Sequence, residues 1–95
     1  YDNIHFVFSC LKDKEGEKMI KELMCISHDI VLCDFENERS DEAQRLAQPF
    51  SLKVIKDYRE AIDDGMKKDG VLVICGSLYF ISLARSYLSK KLNNK

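Results

Sequence analysis

The chain has 95 residues, with 15 Lys and Arg against 16 Asp and Glu and a formal net charge of −1. That length supports one small domain around one core, and the scattered basic residues form no stripe that would bind nucleic acid or an anionic membrane. No apolar run approaches the ~18 residues of a membrane span, and the opening YDNIHFVFSC carries neither a basic n-region nor a cleavage signature, so a cytoplasmic chain is expected.

The segment IHFVFSC (4–10) is apolar and lacks polar alternation, which predicts a strand buried on both faces. After the charged LKDKEG comes EKMIKELMCI. There Met19, Ile20, Leu23 and Met24 fall at helical spacing, Asp13 is available as a cap, and Glu15 and Glu17 complement the helix dipole. DIVLCDF (29–35) predicts a second strand, followed by the loop ENERS and a helix over DEAQRLAQ that stops at Pro49. LKVIK (52–56) predicts a third strand. Asp57 would cap a helix over YREAIDDGMKK, with Gly70 just past its end. VLVICG (71–76) then predicts a fourth strand that meets a helix from about Leu78 to Leu92. The inward face of that helix is expected to carry Phe80, Ile81, Ala84, Tyr87, Leu88 and Leu92. Cys10, Cys25, Cys33 and Cys75 each lie in an apolar segment without a C-x-x-C pair or a histidine at ligand spacing, and are expected as buried free thiols; no metal ligands are assigned.

Four strands in strict alternation with helices specify an α/β, Rossmann-like domain with a mostly parallel sheet. The two most apolar strands, the first and fourth, are expected to be central and the short basic third one an edge. Right-handed crossovers then give the order 3-2-1-4. The switch point falls between strands 1 and 4, where ligands of such sheets bind beyond the carboxyl ends of the strands. The loops LKDKEG and GSLYF meet there. Gly76 would permit a sharp turn and close approach of a ligand to the backbone. Ser77 would cap the last helix and aim its first amides at a carboxylate or phosphate. Good capping chemistry alone also accounts for a Gly-Ser pair, and a core aromatic accounts equally for Tyr79. Asp13 and Lys14 read as a solvated loop or as a crevice contact, and Arg39 as a surface arginine or an anion contact. His5 and His28 lie at the opposite end of the sheet, which argues against either as a catalytic base.

The segments FVFSCLKDKE, FENERS and VLVICGSLYFISLARSYL, taken in order, resemble the C-terminal domain of bacterial folylpolyglutamate synthase/dihydrofolate synthase, within the Mur ligase superfamily. FVFSCLKDKE is similar to that family's strand and Asp-Lys-Asp loop, with Glu15 at the second Asp. FENERS is similar to its Asn-Pro-Arg loop, with Glu38 at the Pro, and VLVICGSLYFISLARSYL to its strand ending in Gly-Ser-Leu-Tyr.

The resemblance implies an ATP-dependent ligase. In such enzymes a folate or dihydropteroate carboxylate is phosphorylated, and the amino group of L-glutamate then attacks the acyl phosphate to form an amide. It implies Gly76, Ser77 and Tyr79 on the glutamate-facing wall, Asp13 and Lys14 in an interdomain or phosphate-facing loop, and no catalytic residue within 1–95. ATP and Mg2+ would be bound mainly by other domains, because the chain has no G-x-x-x-x-G-K-[ST] and no Asp-Gly-Ala-His-Asn-Pro segment. It would thus be a domain truncated at its N-terminal side, incomplete relative to the full family domain and inactive alone, from a parent expected to be monomeric. Two other readings stay open: the corresponding domain of a peptidoglycan-precursor Mur ligase, and a flavodoxin- or receiver-like binding module. The binding module fits less well, since Asp34 near the end of strand 2 has no acidic partners after strand 1.

Overall fold

The structure is a computed structural model that describes residues 3–10, 16–35 and 42–93, the side chains of 42 and 93 excepted. Strand β1 (Ile4–Ser9) leads to helix α1 (Gly16–Met24), β2 (Ile30–Asp34), α2 (Glu42–Ala47) with a 3-10 turn at Gln48–Phe50, β3 (Lys53–Asp57), α3 (Tyr58–Met66), β4 (Val71–Gly76) and α4 (Leu78–Asn93). The four strands form one sheet in the order β3-β2-β1-β4, every pair parallel, as the alternation of elements requires.

Both faces of the sheet are covered, which is why β1 and β2 read as continuous apolar runs. On one face Phe6 and Phe8 of the first strand, Cys10 just past its end, and Ile30 and Leu32 of the second pack with Ile20 of α1 and Ala43, Leu46 and Ala47 of α2. On the other face Val7, Val31 and Cys33 meet Ala61 and Ile62 of α3 and Phe80 and Ala84 of α4. Odd and even positions therefore serve two cores, and each fully buried Ile, Leu or Phe contributes roughly 1.5–3 kcal/mol of burial.

Three expectations are corrected. The central strands are β1 and β2; β4 lies at the edge of the four described strands, and all six of its residues are only half-buried. Its apolar sequence reflects coverage of its two faces, since Val73 and Cys75 pack on one core and Leu72 and Ile74 on the other, and face coverage says nothing about how many strands flank it. Leu92 is exposed because a helix of 16 residues outruns a strand of six, leaving the last turn beyond the sheet. Cys10 and Cys33 are buried and Cys75 is half-buried, but Cys25 is exposed: it follows the last residue of α1, where the chain turns off the sheet. Among the described residues, no helix is long and apolar enough to cross a membrane.

Candidate functional site at the carboxyl ends of β1 and β4

The sheet turns back at β1. Crossovers through α1 and α2 carry the chain to one side of that strand, and the crossover through α3 returns it to the other, so β1 and β4 flank the switch point. Their pairing runs from Ile4 opposite Val71 to Ser9 opposite Gly76, which brings both strands to the same level where they end.

Gly76 sits there with φ at 124°, and a Cβ on it would lie 1.9 Å from the carbonyl oxygen of Ser9. The left-handed turn agrees with the sequence reading. The close approach that requires glycine is by the protein's own β1 backbone, a cause independent of any ligand. The next amide closes the junction: Ser77 N–H donates to the Ser9 carbonyl at 2.9 Å. Ser77 then caps α4, its Oγ accepting from the Tyr79 N–H at 3.1 Å, while its own carbonyl accepts from Ile81 N–H at 3.0 Å. Accepting that bond leaves the Ser77 hydroxyl its own proton to donate. The first turn of α4 holds no acidic side chain, so the positive end of its dipole is not offset locally.

Tyr79 is 69% exposed and Leu78 82% exposed, which removes the core-aromatic reading of Tyr79. The core aromatic of this stretch is Phe80, fully buried, with its ring 5.7 Å from Phe35 and 6.2 Å from Tyr58 between centroids. The turn therefore delivers one ring inward and presents Leu78 and Tyr79 outward, next to the half-buried Ser77. The helical spacing of α4 predicts Phe80 on the inward face, as found; the reading it left open was that of Tyr79, which the packing settles.

Asp13, Lys14 and Arg39, the other predicted site residues, lie outside the described residues. The strand ends that lead into their loops are described: Cys10 is buried beside Gly16 and Leu46, and Asp34 Oδ1 accepts from the Ala43 N–H at 3.0 Å. Neither Cys33 nor Cys75 offers a ready nucleophile. Burial above all pushes the Cys33 thiol far above its ordinary value, with Asp34 adding to the effect, and burial pushes Cys75 up to about 11. Among the described residues, no group of His, Cys, Asp and Glu is arranged to hold a metal ion.

Over 92 residues, 90% of this chain, the sequence is 39% identical to the dihydrofolate synthase/folylpolyglutamate synthase of Bacillus subtilis (strain 168). The chain is related to that synthase. It spans 21% of the relative's length, so the relationship concerns one part of a much longer protein. No family model and no solved structure matches the chain. The four-stranded Rossmann-like sheet and the relationship to this synthase agree with the family expected from FVFSCLKDKE, FENERS and VLVICGSLYF.

Proposed function

We propose that the chain is the C-terminal, closing domain of an ATP-dependent ligase that joins L-glutamate to a folate or pteroate carboxylate, with the Gly76–Tyr79 turn facing the incoming glutamate. The observation that carries this reading is the 39% identity to a dihydrofolate synthase/folylpolyglutamate synthase, combined with a Gly-Ser-Leu-Tyr turn at the switch point of the sheet. In the reaction, a phosphoryl group passes from ATP to the acceptor carboxylate. The amino nitrogen of glutamate then attacks the acyl carbon, phosphate departs and the nitrogen loses a proton. Positioning and charge neutralisation supply most of the acceleration in such steps.

The sequence has no G-x-x-x-x-G-K-[ST] phosphate-binding loop, and among the described residues no group of His, Cys, Asp and Glu is arranged to hold a metal ion. ATP and Mg2+ belong, on this reading, to the rest of the parent enzyme, and the 95-residue chain alone forms no ADP. What this chain contributes is a helix N-terminus, a hydroxyl proton on Ser77 and the exposed phenol of Tyr79. That combination suits a substrate carboxylate. Asp13 and Lys14 are assigned to the facing loop as an interdomain ion-pair contact made on closure, and Arg39 to an anion contact. The parent is proposed to be monomeric and cytoplasmic.

The test separates capping from substrate binding. Replacing Ser77 by Ala removes the cap and should cost about 1 kcal/mol, whereas Asn, another good cap, should restore stability. In the full-length enzyme that carries this domain, Ser77→Asn is expected to raise the KM for glutamate while leaving the KM for ATP and the melting temperature near wild type. Unchanged constants for both substrates would reduce the turn to capping chemistry.

A further inference from the structure

The opposite end of the sheet carries a second cluster of charged groups, built from three segments far apart in sequence. His5, near the start of β1, lies with Nδ1 against the carboxylate of Asp29, in the connection before β2. Its Nε2 lies 2.6 Å from the main-chain carbonyl oxygen of Asp69, in the connection between α3 and β4. Lys68, from the same connection, reaches the Asp29 carboxylate at 3.1 and 3.4 Å. Behind it, Asp64 of α3 lies 3.9 Å from Lys68 and 3.8 Å from Lys53 of β3. The backbone continues the same joints: Val71 N–H donates to the Asn3 carbonyl at 2.8 Å, and Ser27 Oγ donates to the Ile4 carbonyl at 2.8 Å.

Both ring nitrogens of His5 thus face oxygen acceptors. A neutral imidazole carries one N–H and can satisfy only one of them; the other contact would then set a nitrogen lone pair against an oxygen lone pair. Only the imidazolium donates to both. We propose that His5 is a proton-dependent clasp, closed as the imidazolium, which ties the start of β1 to the α1–β2 and α3–β4 connections and releases the α3–β4 turn when it loses its proton. The electrostatics act in the same sense. The Asp69 carbonyl and then Asp29 raise the pKa of His5 above its ordinary value, against partial burial and the like charge of Lys68. Burial opposes the charge on Asp29, but His5 and Lys68 outweigh it, and its pKa is lowered.

The signs of these shifts define the window. The raised His5 contributes stability that is fully present below its unfolded-state pKa and is lost as pH rises through its folded value. The lowered Asp29 contributes stability that is present above its unfolded-state pKa and is lost as pH falls through its folded value. The clasp is therefore strongest between the two, and it opens as pH rises through the raised folded-state value of His5. It lies at the amino ends of the strands, away from Ser77 and Tyr79, so its behaviour is independent of the proposed ligase function.

The test is a pH titration of the wild-type chain by NMR, following the imidazole nitrogens of His5 and the exchange protection of the Val71 amide. Two protonated ring nitrogens below the transition are expected. So is a midpoint above that of His5 in the same chain unfolded in urea, with Val71 protection, corrected for intrinsic exchange, falling across that midpoint. In Asp29→Asn the midpoint should move down towards the unfolded value. A single protonated nitrogen throughout, a midpoint equal to that of the unfolded chain, or Val71 protection that ignores the His5 transition would overturn the clasp. An unmoved midpoint in a folded Asp29→Asn chain would do the same.

Discussion

At Gly76 two demands coincide: a backbone with φ at 124° and the Ser9 carbonyl 1.9 Å from where a Cβ would sit. Neither can be relieved by a side-chain rotation, because the obstructing atom belongs to the backbone of a central strand. Gly76→Ala is expected to lower stability by about 2 kcal/mol or more in urea titrations, by forcing β4 away from β1. The sequence marks this position clearly, since a glycine between an apolar strand and a helix is a familiar turn signal. It does not reveal the cause, which is a contact between residues 67 positions apart in the chain. The same limit applied at His5: its place at the amino end of a strand was legible, but Asp29 and Asp69 come to it only through the pairing of β1 with its neighbours.

Among the elements, α3 shows most directly how local chemistry sets a boundary. Asp57 ends β3 and also caps α3, its extended backbone (φ −80°, ψ 120°) placing Oδ1 2.9 Å from the Arg59 N–H, so no spacer separates strand from helix. Asp57→Ala should cost about 1 kcal/mol and Asp57→Ser should recover most of it, as read from urea midpoints at constant m-value. Caps of this kind are legible because they depend on residues two or three apart, and the predicted starts of α3 and α4 agree with the structure for that reason. Burial near a helix end was harder to read. The apolar spacing of α4 continues to Leu92, but the sheet beneath it does not, and Leu92 is left in solvent.

For the molecule as a whole, stability rests on two cores separated by one sheet, and Phe8 is the largest fully buried side chain of the first. Phe8→Ala is expected to cost about 3–5 kcal/mol, a large part of the 5–15 kcal/mol typical of a domain, and to shift the whole unfolding transition without splitting it. The outer flank of β4 is less well filled: an apolar groove of about 410 Å³ lies between Ile74 and the Ile81, Ala84, Arg85, Leu88 and Ser89 stretch of α4. By itself, then, the sequence determined the alternation of four strands and four helices, the caps at Asp57 and Ser77, and the strand order 3-2-1-4, because propensity, capping and crossover handedness act locally or through short connections. Only the tertiary structure decided that Tyr79, which the sequence left open, faces solvent, that Gly76 answers to Ser9, and that His5 meets two acceptors at once. Each of these depends on which distant segments the sheet brings side by side, and hydrophobic pattern reports only whether a face is covered, not by what.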